Sequence, residues 1–322
     1  PKLRWEKVEA WEAGAEANFL RNRLHFEGVY YKKKTKDLLA EVPGISGTVP
    51  GIGNLGSIEN SGVELALSWR DRIGDWNYNI GMNLATIKNK VLSLVQEGYS
   101  IIAGDKQQSY TMAGYPIGYF YGYKVEGVYQ TQEEIEHSPK NTLATVTPGD
   151  LKFRDLDDNN VISIGKNTVD DPGDREIIGN SQPRFHYGTT LSMSWAGIDF
   201  SIFFQGIGRR HWYPKANTIA FWGPYARPYA SWIPKDFHEM YWSEENPDAY
   251  FPRPRGYTAL QGTNRELTAV NDRYLQNIGY CRLKNLTVGY TLPRQWTRKA
   301  LIESLRIYFT GENLFTWSGI RS

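Results

Sequence analysis

Residues 183–195 read "PRFHYGTTLSMSW". From Tyr187 onward the larger side chains fall on every second position: Tyr187, Thr189, Leu191, Met193 and Trp195. Between them stand His186, Gly188, Thr190, Ser192 and Ser194, all small or polar. A strand turns alternate side chains to opposite faces, so this one has an apolar face and a polar face. The alternation recurs. Trp76, Tyr78, Ile80, Met82 and Leu84 stand against Asn77, Asn79, Gly81 and Asn83, and Val63, Leu65, Leu67 and Trp69 against Gly62, Glu64, Ala66 and Ser68. "LHFEGVYY" (24–31), "DFSIFFQG" (199–206), "LKNLTVGY" (283–290) and "SLRIYFTG" (304–311) repeat the theme. With the strand ending near Phe19, these make about eight segments of roughly ten residues, the length and period of tilted membrane strands. A spacing of two, and never three or four, excludes amphipathic helices.

Bulk properties narrow the classes less. The chain has 322 residues, with 37 Lys+Arg against 35 Asp+Glu, and this balance gives no electrostatic case for nucleic acid. Mean hydropathy is −0.53, and no window approaches the length of a membrane helix. The first residues, "PKLRWEKVEA", hold no apolar signal-peptide region. Cys281 stands alone, so no internal disulfide forms. Aromatic content is high at 14%, with 21 Tyr and 11 Trp to be placed on a surface or in a core.

Connection lengths separate a membrane barrel from a soluble sandwich. Short links join some strands: "LRN" after Phe19, "RDRIGD" between Trp69 and Trp76, "AG" between Trp195 and Ile198, and "RQWTRKALIE" between Pro293 and Ser304. Long segments separate these pairs, at 36–58, 89–182 and 209–277. Short turns on one side and long loops on the other are the sidedness of an outer-membrane barrel. Phe19, Trp69, Trp76 and Trp195 lie at strand ends beside the tight turns, where an interfacial girdle belongs. The fold class expected is therefore all-β, a transmembrane antiparallel barrel with long extracellular loops. Parity closes only if 89–182 adds no net crossing, so "GYFYGYKVEGVYQ" (118–130) is placed in a folded external loop. The chain then ends outside, and one further strand is expected.

Several motifs carry a resemblance. "NPDAYFPRPRG", "DRYLQNIGYCRLKNLTVGYTLP" and "RIYFTGENLFTWSG" resemble the C-terminal motifs of SusC/RagA-type TonB-dependent transporters, the outer-membrane nutrient importers of Bacteroidetes. "GDLKFRDLDDNNVIS" and "GDREIIGNSQPRFHYGTTLSMSW" are similar to the segment preceding a late strand of that family, and residues 3–39 to an earlier hairpin. The resemblance implies that residues 1–322 are the C-terminal part of a 22-stranded barrel with a plugged lumen. It further implies an N-terminal plug domain and a TonB-contacting segment, neither present in these residues, and a SusD-like lipoprotein on the outer face. The cargo implied is an oligosaccharide or a peptide. The competing expectation is an extracellular carbohydrate-binding β protein without transport, which would stay in solution without detergent.

Candidate site residues fall in three groups. Asn77, Asn79, Asn83, Thr190, Ser192 and Gln205 are expected to face the lumen, lining it or packing on a plug. Asp155, Asp157 and Asn159 have the one-three-five spacing of a calcium loop, with the Val161 carbonyl at position seven. Position six is Asn160 rather than Gly, and position twelve is Lys166 rather than Glu. The family's closing acid matches Asp174 if an insertion is allowed. A structural calcium ion and a solvated acidic loop held by Asx turns both remain open. Trp212, Trp222, Trp232 and Trp242, with Tyr213, Tyr225 and Tyr229, form an aromatic loop that packs on itself or touches substrate or partner. Arg209, Arg210 and His211 are expected to meet water and anionic outer-membrane lipid. The five histidines show no paired metal spacing, and no nucleophile elbow or phosphate loop is present, so no enzymatic activity is expected.

Overall fold

A computed structural model describes residues 3–42, 51–54, 56–94, 100–103, 109–166, 171–226, 233, 235–255, 260, 267 and 269–320. Two compact units divide the chain. The first comprises residues 1–92, 183–210 and 278–319, and the second 93–182, 211–277 and 320–322.

The first unit is a wall. Eight long strands form it: β1 (Lys7–Phe19), β2 (Leu24–Lys36), β3 (Gly56–Ile73), β4 (Trp76–Thr86), β5 (Phe185–Trp195), β6 (Ile198–Gly208), β7 (Tyr280–Thr291) and β8 (Arg306–Ser318). Each pairs antiparallel with its neighbours in chain order, and a further strand, Lys88–Leu94, also pairs with β3. Register tests the alternation read from sequence, because residues directly opposite share a face. One row runs Phe19, Leu24, Trp69, Ile80, Leu191, Ile202, Leu286, Gly311 across all eight strands. The row one residue over, on the other face, runs Asn18, His25, Ser68, Gly81, Thr190, Phe203, Asn285, Glu312. The eight strands therefore hold most of their apolar residues on one side; Val8 and Val29 stand on the other, opposite Thr35 and Glu64. Phe203, with Ile207 opposite His186, are the β6 residues that break the pattern on the polar side.

Several boundaries differ from the sequence reading. β3 continues four residues past Trp69: Asp71 pairs with Tyr78, Arg72 with Asn77 and Ile73 with Trp76, so the ladder runs on although Asp71 is polar on the apolar side. Only Gly74 and Asp75 remain as the turn, in place of the six-residue link expected. Arg23 pairs with Asp71 at 3.0 Å and Arg72 Nε donates to the Gly74 carbonyl at 2.8 Å, tying this end together. The link before β8 is not a plain turn: it holds short helical turns at Arg294–Thr297 and Arg298–Ala300. Residues 36–58 carry a hairpin of Leu39–Val42 and Gly51–Asn54.

The second unit is built from the two longest connections. Tyr119–Tyr123 sits in a four-stranded sheet between Arg175–Asn180 and Ser109–Met112, with Ser100–Ala103 beyond. β4 pairs directly with β5, although about a hundred residues separate them in the chain. The later connection locks onto this sheet. Tyr123 N–H donates to the Val270 carbonyl at 2.8 Å, and Asp272 N–H returns to the Tyr123 carbonyl at 3.1 Å. Gly122 permits that approach, since a Cβ there would collide with the Val270 carbonyl oxygen. Asp272 also accepts from Val125 N–H at 2.9 Å and pairs with Lys124 at 3.4 Å.

Candidate functional site

The wall presents its two faces to different surroundings. On the apolar side the band is bordered by rings at both ends. Near the tight turns, Trp76 and Trp195 stack with centroids 5.0 Å apart, and Phe19, Trp69 and Tyr290 complete that border. At the other end Trp11 lies 5.3 Å from Tyr30, and Phe185 6.3 Å from Tyr187. Two aromatic belts flanking an apolar band are the signature of a bilayer-crossing barrel. The second belt escaped the sequence reading, although the strand parity that places Tyr187 also places it. Met82 is 50% exposed, and Leu191, Met193 and Ile80 are half-buried, so none is sealed in a core.

All six residues expected to face the lumen lie together on the polar side. Asn79 is opposite Ser192, Asn77 opposite Ser194, and Gly188 separates Asn83 from Gln205. Thr190 is opposite Gly81. Hydrogen bonds run across this face, Ser192 to Ser201 at 3.2 Å, Thr287 to Thr310 at 3.1 Å and Asn77 to Ser194 at 3.5 Å. Near the tight turns, Arg306 grips Asp199 with both Nε, at 2.9 Å, and Nη2, at 2.5 Å. The pair reaches across β7 over Gly289, where a Cβ would crowd both groups. Sequence alone gave no sign of this pair, because residues 107 apart meet only through register.

In the second unit the aromatic loop turns inward. Tyr213, Trp222, Tyr225 and Trp242 are buried, and all four belong to one apolar cluster with Phe251 and Tyr274. The Trp222 and Tyr274 rings meet edge to face at 5.0 Å, and Tyr225 stacks on Phe251 at 5.4 Å. Of the two roles the sequence left open for these four residues, their burial in this cluster supports packing. Trp212 is half-buried in a short strand pairing with Gln276–Asn277, and Trp232 and Tyr229 lie outside the described residues. Arg209 and Arg210 are exposed as expected, but His211 is not free for lipid: its Nδ1 accepts the Asn180 N–H at 3.2 Å.

Beside this core lies a cavity of about 1040 Å³. Its apolar wall includes Phe221, Phe237, Met240 and Tyr250, while Asp236, Glu239 and Asp248 bring carboxylates to it. Arg273 lies in the same wall, held by the Tyr250 carbonyl at 2.8 Å and the Ala249 carbonyl at 2.6 Å, its guanidinium over the Tyr250 ring. An ion pair with Asp150 anchors the same loop at Arg255. Asp150, fully buried, accepts from Arg255 Nε at 3.0 Å and from Thr147 N–H at 2.8 Å.

The acidic loop comes together across its insertion. Asp155, Asp157 and Asp174 each place a carboxylate oxygen within 4.8 Å of the others. Asn160 adopts φ +62°, so the turn that ordinarily calls for Gly is made by Asn. Asp174 is buried and accepts the Leu156 and Ser163 N–H groups at 2.9 and 2.7 Å. Burial raises its carboxyl above the ordinary range; those two hydrogen bonds oppose the rise, and the nearby Asp157 and Asp155 charges add to it. Asn159 departs from the expected ligand arrangement. Its Oδ1 accepts Val161 N–H at 2.7 Å and its Nδ2 donates to Asp157 at 2.9 Å, which is an Asx-turn network. Three hard carboxylates at this separation have the chemistry for calcium.

Sidedness, two aromatic belts and one polar face define a β-barrel of the outer membrane. Residues 1–314 match the model of the family described as TonB dependent receptor-like, beta-barrel, and the chain belongs to that family. It is 30% identical to TonB-dependent receptor P3 of Formosa agariphila, over 98% of this chain and 30% of that protein. It is 24% identical to TonB-dependent receptor SusC of Bacteroides thetaiotaomicron, over 97% of this chain and 29% of that one. Among solved structures it resembles that of the RagAB peptide transporter, with a TM-score of 0.70 at 22% identity, over 98% of this chain and 32% of the other. The chain spans about a third of the length of the relatives it matches. It is thus a barrel portion of a TonB-dependent receptor-like protein, located in the outer membrane.

Proposed function

We propose that the chain forms the C-terminal part of the barrel of a TonB-dependent importer of nutrient oligomers, glycans or peptides, working with a SusD-like surface lipoprotein. The observation that carries this reading is the wall itself: one apolar face kept in register across eight strands, with a polar face behind it. Such a wall needs further strands, because the outer edges of β1 and β8 would leave backbone amides unpaired in lipid. A plug domain and a TonB-contacting segment outside residues 1–322 belong to the same reading. The barrel residues transfer no protons or electrons on this account. Their work is to hold a closed hydrogen-bonded cylinder, with the inner-face Asn, Ser and Thr groups packing on the plug. The cavity beside Phe221 and Tyr250 supports a capture role for the second unit.

Calcium enters the proposal as a brace. Asp155, Asp157 and Asp174 would hold it, and the ion would supply cross-linking charge to the acidic loop rather than chemistry. The test of the whole reading is genetic. Deleting the gene in its native bacterium should abolish growth on one glycan or peptide fraction and spare growth on monomers. Purification from native membranes should bring a surface lipoprotein with it. Unchanged growth on every oligomer fraction, with no lipoprotein retained, defeats the proposal.

A further inference from the structure

β2 ends in "KKKTK", residues 32–36, and register decides which of these lysines faces the bilayer. Tyr30, in the belt far from the tight turns, is opposite Ala13 and Val63 on the apolar side. Lys32, Lys34 and Lys36 follow it at steps of two and so continue that side beyond the belt. Lys32 is opposite Trp11, and Lys7 is opposite Lys36 and joins the same face. Lys33, opposite Ala10 and Asn60, points to the other face.

Two carboxylates share the patch, Glu9 and Glu59, both opposite Lys34. Each is already engaged: Glu59 by Lys32 at 3.0 Å, and Glu9 by Lys36 in a close ion pair. Four ammonium groups against two carboxylates leave an excess of two positive charges, and among the described residues Lys34 and Lys7 form no ion pair. A basic group set just past an aromatic belt lies at headgroup depth, where lysine stems follow apolar surface and the charge meets lipid phosphate.

We infer that the membrane-facing ends of β1 and β2 form a binding patch for the phosphate groups of anionic lipid headgroups in the outer leaflet, with Lys34 and Lys7 as principal contacts. The Trp11–Tyr30 ring pair at its lower edge selects a lipid over a dissolved anion, since it offers apolar surface to the acyl boundary. The inference rests on the barrel orientation proposed above, and its test separates the two.

The full transporter, purified with its native partners, is placed in phosphatidylcholine nanodiscs with and without diphosphorylated lipid A. Thermal stability and retained lipid, counted by native mass spectrometry, are compared for wild type, K32Q/K34Q/K36Q, K33Q and K32R/K34R/K36R. Lipid A should stabilise wild type, K33Q and the arginine variant alike. The glutamine triple variant should lose most of that increment, with lipid retention about fivefold weaker per lysine removed. Heat-modifiable gel migration reports barrel folding independently, so a failed orientation shows as lost barrel and not as lost lipid. If the triple variant fails to fold, Lys34→Gln alone, which breaks no ion pair, carries the comparison. An unchanged increment in the glutamine variants overturns the inference. So does an equal loss in K33Q, or inorganic phosphate reproducing the effect without lipid.

Discussion

Trp76 on β4 is 46% exposed, whereas Tyr274 in the second unit is completely buried. Both are large aromatic residues in one chain. Every member of the buried apolar cluster belongs to the second unit, and none to the wall. The wall instead carries Trp76, Met82, Ile307, Phe309 and Phe315 in the open. The difference is one of solvent. In water, apolar side chains gain by covering one another, so the second unit packs ring on ring. In lipid nothing is gained by hiding them, and cohesion comes from the backbone ladder, whose polar groups have no water to turn to.

Substitution should expose the difference most strongly in the second unit. Trp222 is fully buried against Phe221, Phe251 and Tyr274, and its indole N–H donates to the Lys215 carbonyl at 3.0 Å. Trp222→Ala should cost about 3–5 kcal/mol. Limited proteolysis should then cut the second unit while heat-modifiable migration of the barrel is kept. Equal protection of the variant and the wild type would show that the rings do not form a core.

The wall should respond to charge rather than to volume. Ile202 stands in the apolar row between Leu191 and Leu286, and Ser201, its neighbour in sequence, faces Ser192 on the polar side. Ile202→Arg should cost about 2–4 kcal/mol of barrel stability, since Leu191 opposite it lies midway between Tyr187 and Trp195 of the two belts. Ser201→Arg should cost far less, because its side chain projects away from lipid. Urea unfolding in liposomes measures both. A reversal of the two effects would invert the assignment of faces and with it the account of the wall.

How much of this was legible in sequence also differs between the two regions. Wall strands obey a period of two, and that local signal marks seven of the eight and puts Asn79 and Ser192 on one face, while β1 is marked by its short link to β2. The link "AG" between Trp195 and Ile198 was correct to the residue, with Ala196 at φ +48° closing the hairpin. The outer belt of Trp11, Tyr30 and Tyr187 is less legible, because no short turn marks that end of the strands. In the second unit, sequence supplied the aromatic composition but not its direction. Trp222 and Trp212 look alike in the chain, yet one is core and the other half-buried. The partners that decide this, Phe251 and Tyr274, lie about 30 and 50 residues away with no periodicity connecting them. Lys32, Lys34 and Lys36 were likewise hidden by a near-zero net charge, which says nothing about which face a charge occupies.

The acidic loop gives the smallest expected effect and the finest contrast, because its polar groups are satisfied internally and also face one another as charges. Asp174 has its carboxyl raised above the ordinary aspartate value of 3.8, first by burial and then by Asp157 and Asp155. A raised acid binds more protons folded than unfolded between the two values, so the metal-free loop gains stability as pH falls through that window and loses it as pH rises. Calcium held as proposed would reverse the sign. The ion favours three carboxylates, so its binding expels the Asp174 proton, and affinity should weaken about tenfold per pH unit below the raised value. Calcium titration of the full protein at neutral and at acid pH, followed by thermal stability, measures this, with Asp174→Asn as the variant that should flatten the dependence. Absence of any calcium response at neutral pH would leave Asn159 and its Asx turns as the complete explanation of the loop.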